Sequence, residues 1–133
     1  MFDWENQQKQ VCQISVSGGR LDVTVNPSGD RDGIDSNGGI KITGGTVITR
    51  GPNSTMAAAL DTDGTASITG GTLIILGSLG ERGLSKGSGV TTYSLSLNSS
   101  GNNSVTIDGI SYTFTNKYAY SRTLVYSSVS VTA

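Results

Sequence analysis

Three stretches of the chain alternate apolar with polar residues, and a glycine pair interrupts each: ISVSGGRLDVTV at 14–25, IKITGGTVIT at 40–49 and ASITGGTLII at 66–75. Alternation of period two marks strands with one buried face, and a glycine pair bends such a strand without a Cβ clash. The three glycine pairs lie 26 residues apart, and the flanks keep that phase. Ile14, Ile40 and Ala66 correspond, as do Val16, Ile42 and Ile68, then Leu21, Val47 and Leu73, then Val23, Thr49 and Ile75. Ile34 and Leu60 form a further pair, with Leu84 as a third member after a two-residue deletion. No segment carries a helical period. Tandem units of about two dozen residues holding short strands predict a β-solenoid, with equivalent residues stacked on parallel strands roughly 4.8 Å apart.

The pattern divides the chain into three parts. Residues 1–10 read as an N-terminal cap segment, in which Phe2 and Trp4 cover one end. Residues 11–89 read as parallel β-helix coils, and 90–133 as a C-terminal antiparallel β cap. Within the last part, YSLSL (93–97), SVTI (104–107), SYTF (111–114) and RTLVYSSVSVT (122–132) alternate as strands. Asp108–Gly109 supplies a two-residue hairpin turn. A solenoid end exposes unpaired strand edges, so a cap is the first reading of this hairpin. A sugar-stacking face of Tyr118, Tyr120 and Tyr126 is the alternative.

At 133 residues the chain is one domain, or one with a small appendage. Charged residues make up only 14%, and the net charge is −1. Nucleic acid is excluded as a partner because phosphate neutralisation needs clustered Lys and Arg, and here they are scattered. The absence of His removes most zinc sites and His-based acid–base catalysis. The single Cys12 has no internal disulfide partner and reads as a core thiol. No apolar run is long enough to span a membrane, and MFDWENQQKQ lacks the apolar stretch of a signal peptide.

The 26-residue phase also aligns DSNG (35–38) with DTDG (61–64). Stacked coils would set Asp35 over Asp61 and Asn37 over Asp63. Two carboxylates about 5 Å apart repel by about 1 kcal/mol in water and about 3 kcal/mol at an effective dielectric near 20. Asp30, Asp32, Asp35, Asp61 and Asp63 are five of the ten acidic residues. A divalent cation held by oxygen ligands would compensate them. The other reading is a plain turn: Asp, Asn and Gly are turn residues, and Arg31, Lys41 or Arg50 would neutralise the charge.

GDRDGIDSNGGIKITGGTVITRGP (29–52) and AALDTDGTASITGGTLIILG (58–77) resemble a family of bacterial carbohydrate-binding domain proteins. The shared elements are G-D-G-I-D-S-N-G, I-T-G-G-T-V and A-L-D-x-D-G. Members are right-handed parallel β-helices with the shape of pectate lyases. They are associated with calcium and with acidic plant polysaccharides such as polygalacturonate, without established cleavage. The resemblance covers 29–77 and implies calcium ligands among Asp32, Asp35, Asp61 and Asp63. Where the family has G-D-G-I-D this chain has GDRDGID, so either Asp30 or Asp32 takes the first Asp position. The chain also shows fewer coils than the family usually has.

The resulting expectation is an all-β fold, a short right-handed parallel β-helix with coils of about 26 residues and an antiparallel cap. Its function would be non-catalytic, calcium-dependent binding of acidic polysaccharide at a cell surface or in a secreted matrix, with Asn37, Lys41 and Arg50 contacting sugar. Two alternatives stand beside it. One is a self-assembling solenoid module that stacks end to end into fibres or oligomers, or adds strand 122–132 to a neighbour's edge. The other is a polysaccharide lyase using Lys41, Arg50 or Lys86 as base.

Overall fold

The computed structural model describes residues 13–29, 31–54, 57–80 and 82–133. The expected N-terminal cap with Phe2 and Trp4, the Cys12 thiol and Asp30 lie outside the described residues. The described chain is all β. Each 26-residue offset is a strand register. Strand β1 (Ile14–Thr24) pairs in parallel with β3 (Ile40–Arg50), setting Ile14 on Ile40 and Leu21 on Val47. Strand β2 (Ile34–Ser36) pairs in parallel with β4 (Leu60–Thr62). The first part of β3 continues in parallel onto β5 (Ala66–Ile68), and its second part onto β6 (Thr72–Leu76). Glycine is required at the bends: Gly45 and Gly71 have φ of 81° and 83°, and a Cβ on Gly71 would meet Gly45 O at 2.6 Å. Successive bends touch backbone to backbone, so no side chain fits between them.

These parallel pairs do not add up to the expected parallel β-helix. They belong to a curled, mixed seven-stranded sheet. Beyond β6 the parallel order stops, and β11 (Thr123–Ser127) pairs antiparallel, setting Leu124 on Ile75 and Tyr126 on Leu73. Strand β8 (Thr91–Tyr93) then pairs antiparallel with β11. The physical reason lies in the third unit. After Leu76 the 26-residue phase is lost: Leu60 bridges to Leu79, and the two-residue β7 (Ser85–Lys86) aligns Ser85 with Ser67. Leu79 therefore takes the place expected for Leu84, which instead packs at the margin of the core. No fourth copy reaches the far edge of β6. Its backbone donors and acceptors are satisfied by a strand arriving from the C-terminal end.

The C-terminal part is correspondingly interleaved with the repeats. The expected strand 122–132 splits in two. Its first half is β11, inside the large sheet; its second is β12 (Val131–Thr132), which pairs with β9 (Gly101–Ile107). It therefore offers no long free edge to a neighbour. Of YSLSL, only Tyr93 falls in a strand. The hairpin is present: β9 and β10 (Ile110–Asn116) pair antiparallel around Asp108 and Gly109, both at positive φ, 50° and 79°. That is the turn whose twist matches a hairpin.

The three-stranded sheet β10–β9–β12 lies across a face of the large sheet, and the described residues form two cores. The inner core gathers Ile34, Ile40, Ile42, Val47, Leu60, Ile68, Leu73 and Ile75. The outer core joins Ile48, Ile74 and Leu76 to Val105, Ile107, Phe114, Val125 and Val131. Strand β6, TLIIL, is consequently buried at all five positions, as expected of a strand covered on both faces. Tyr120 lies in the outer core and donates its hydroxyl to Val25 O at 2.8 Å, while Tyr126 packs on the inner core. The proposed stacking face of Tyr118, Tyr120 and Tyr126 is therefore not formed.

Candidate functional site

The short sheet β2–β4 builds the candidate site. Its alternation turns Ile34, Ser36, Leu60 and Thr62 inward and leaves Asp35 and Asp61 outward. The parallel register sets Asp35 directly beside Asp61. The hydroxyls shared by DSNG and DTDG shape the following turns. Ser36 Oγ accepts from Gly38 N at 3.2 Å, and Thr62 Oγ1 donates to Gly64 O at 3.0 Å. The shared glycines follow from stacking: a Cβ on Gly64 would meet Gly38 O at 2.8 Å. Small hydroxyl and glycine are thus explained by the turn, which leaves the carboxylates to be explained separately.

A third carboxylate joins the pair. Asp32 Oδ1 accepts a hydrogen bond from Ala58 N at 2.9 Å, which fixes it beside the sheet. Gly33 follows at a point with no room for a side chain, since a Cβ there would meet Ala59 O at 2.3 Å. Asp32, Asp35 and Asp61 each present an oxygen, and these atoms all lie within 4.8 Å of one another. Desolvation, followed by the charge of Asp32 and then of Asp63, pushes the Asp35 carboxyl above its ordinary range. Desolvation, then Asp32 and Asp35, pushes Asp61 in the same direction. Among the described residues, the ion pairs involve Asp22 and no member of this cluster.

The other sequence-derived candidates separate. Asp63 is exposed and acts on Asp35 and Asp61 through its charge. Asn37 is exposed in the turn after β2, and Lys41 is exposed on β3 between Ser15 and Ser67. Arg50 requires a correction. It is 1% exposed. Its guanidinium pairs with Asp22, donates to Asn116 Oδ1 at 2.6 Å, and lies 5.3 Å from the centre of the Phe114 ring. A group so enclosed reaches neither sugar nor a substrate proton. It is buried because the second part of β3 is covered by the C-terminal sheet. Lys86, the third lyase candidate, is exposed and donates to Thr92 Oγ1 at 2.9 Å.

Sequence reasoning missed Gly80, which lies within the expected coils with no role of its own. Gly80 N donates to Leu60 O at 2.8 Å, forming the next layer beside β4. A Cβ on Gly80 would lie 2.0 Å from Asp61 Oδ1. This glycine therefore makes room for the Asp61 carboxylate. Its only signal in the sequence is the position of LGSLG after the last alternating run. No family model, no curated protein and no solved structure matches this chain.

Proposed function

We propose that the protein binds a divalent cation, calcium by preference, through Asp32, Asp35 and Asp61, and through it an acidic polysaccharide of the polygalacturonate type. The convergence of three carboxylates from two consecutive units, with no described cation neutralising them, carries this reading. The donor set fits the ion. Calcium takes six to eight oxygen ligands at about 2.3–2.6 Å, and oxygens no more than 4.8 Å apart can reach one such ion together. Three carboxylates leave coordination positions open. A bound cation reverses the local preference for charge, so a uronate carboxylate becomes a favourable further ligand. Asn37 offers hydrogen bonds to hydroxyls, and Lys41 offers a charge-assisted bond to a second carboxylate. The reading is of a binding protein without catalysis, working at a cell surface or in a secreted matrix.

Calorimetric titration with calcium tests the first half, comparing the chain with the Asp35→Asn/Asp61→Asn variant. Saturable binding by the chain and none by the variant is the expected result. Retention on polygalacturonate that EDTA abolishes, while circular dichroism stays unchanged, tests the second half. Absence of calcium heat from the unaltered chain would return the Asp residues to a purely local role. Calcium binding without retention on the polymer would sink the polysaccharide part alone.

A further inference from the structure

Every open sheet edge is a template for another strand, and those of this molecule are unequal. In the large sheet β7 has two residues and β8 has three; in the small sheet β12 has two. The edge of β10 is longer, but Arg20 Nη2 donates to Thr113 O at 2.8 Å and guards it. Strand β1 is different. It spans eleven residues with a bend at Gly18–Gly19, where Gly19 has φ 72° and the register on β3 shifts, so its regular stretch beyond the bend is Arg20–Thr24. It contains no Pro or Lys, and among the described residues no strand pairs with its outer side. Ile14, Val16, Leu21 and Val23 stand half-buried along it at the margin of the inner core. On the opposite face of the same strand, Arg20 and Asp22 are 37% and 36% exposed.

We infer that β1 is a two-fold interface, at which the strand pairs antiparallel with β1 of a second copy about an axis at Leu21. Charge selects this register. About Leu21, Arg20, which in its own chain also pairs with Asp22 and donates to Thr113 O, stands opposite Asp22 of the second copy. Each ion pair therefore extends across the axis, and the symmetry repeats it. Sliding by two residues one way opposes Asp22 to Asp22 of the second copy; sliding the other way opposes Arg20 to Arg20 of the second copy. Like charges directly opposed across strands are destabilising. A slide of one residue turns Leu21 and Val23 away from the core face. On that face Leu21 meets Leu21 of the second copy, and Val23 lies over the bare backbone of Gly19 of the second copy. The inner core then continues from one molecule to the next. The contact is closed, so it gives a dimer and not the end-to-end fibre expected of a solenoid. It is independent of the cation site.

Sedimentation of the full chain across the micromolar range is the test, together with oxidation of a Leu21→Cys variant in a Cys12→Ser background. The expected results are twice the chain mass, dissociating on dilution, and a disulfide dimer from Leu21→Cys. Opposed Cβ atoms stand roughly 5 Å apart at the axis. A Val23→Cys control should resist self-cross-linking, because four residue steps separate the two thiols by roughly 14 Å. Arg20→Glu, at an exposed position, should raise the dimer dissociation constant by roughly tenfold or more by opposing like charges. A chain that stays monomeric throughout overturns the inference; so does a dimer in which Val23→Cys cross-links as readily as Leu21→Cys, or one unaffected by Arg20→Glu.

Discussion

Asp22 and Asp61 are both aspartates on parallel strands of the repeat, yet their surroundings are opposite. Asp22 lies between two guanidiniums: it pairs with Arg20 and with the buried Arg50. Arg50 in turn reaches Asn116 on the hairpin, so the carboxylate belongs to a bridge between the large sheet and the small one. Asp61 lies among carboxylates, with Asp35 beside it and Asp32 close by, and both neighbours raise its affinity for a proton. Stacking units in register repeats charge as readily as it repeats apolar side chains. At one place the C-terminal sheet encloses the charge with a fixed counter-ion. At the other no described side chain pairs with the charge, and this is the place of the proposed cation.

The largest effect that separates the two regions is at Arg50. Arg50→Met keeps the packing against Phe114 but leaves Asn116 Oδ1 without its donor and Asp22 with Arg20 alone. Breaking a buried pair costs about 3–5 kcal/mol. The low end, about 3 kcal/mol, is expected here because Asp22 is partly exposed and can turn to water. Urea unfolding checks the value. A loss no larger than that of an exposed Lys41→Met control would mean that the bridge does not hold the two sheets together.

The acidic region should respond in the opposite sense, to an added ion. In calcium at a hundred times its dissociation constant, the unaltered chain should gain about 2.7 kcal/mol over its value in EDTA. The Asp35→Asn/Asp61→Asn variant should gain nothing and should be the more stable of the two in EDTA, since it lacks the repulsion. Arg50→Met should keep the full calcium increment, because its partners lie on other elements. Thermal unfolding in the two buffers decides this. An equal calcium response in all three proteins would sink the assignment of the site.

The two regions also differ in how far they are legible in the sequence. The pairing of Asp35 with Asp61 follows from a 26-residue phase set by glycine pairs and alternating residues, all of it local. The burial of Arg50 does not. IKITGGTVITR reads as a strand with one wet face, and its second part is covered on both faces only because Asn116 and Phe114, more than sixty residues away, lie across it. The parallel β-helix failed for a related reason. The short apolar runs TLIIL and TLVYS show that two strands exist, but not that they pair antiparallel with each other. Pairing partners far apart in sequence leave no trace in the period of either strand. Leu79 displaced Leu84 because the spacing shortens from 26 to 19 where no glycine pair keeps the phase.

A smaller effect separates the architecture of the acidic site from its charge. Gly80→Ala would place a Cβ 2.0 Å from Asp61 Oδ1 and 2.8 Å from Asp61 Cγ. The two nearest obstructing atoms belong to the carboxylate, which can swing aside. The third is the Asp61 Cα at 3.2 Å, which a backbone shift of a few tenths of an ångström relieves, so the fold survives. The apo protein should lose no more than about 1 kcal/mol, the mild end of overpacking. Calcium affinity should fall about tenfold, equivalent to about 1.4 kcal/mol, because one ligand is turned away. Calorimetry beside urea unfolding tests this. A stability loss without an affinity loss would place Asp61 outside the ligand set.

The smallest effect is in the pH dependence, and its sign distinguishes this region from an ordinary ion-paired carboxylate. Asp35 and Asp61 are raised above the ordinary value of 3.8, first by desolvation and then by neighbouring carboxylates. Between the ordinary value and the raised ones the folded chain binds more protons than the unfolded chain. Stability from these groups is therefore present below the ordinary value and is lost as pH rises through the raised ones. Asp35 is exposed and Asp61 half-buried, so solvent screening keeps the effect small. In EDTA, the stability advantage of the Asp35→Asn/Asp61→Asn variant should be widest at neutral pH and should close on acidification into the carboxylate range. With calcium the order should reverse at neutral pH, and the reversal should fade on acidification because protons compete for the same oxygens. Unfolding temperatures of the two proteins across that range, with and without calcium, are the measurement. Parallel curves would mean that the clustered carboxylates do not interact, and the contrast with Asp22 would lose its physical basis.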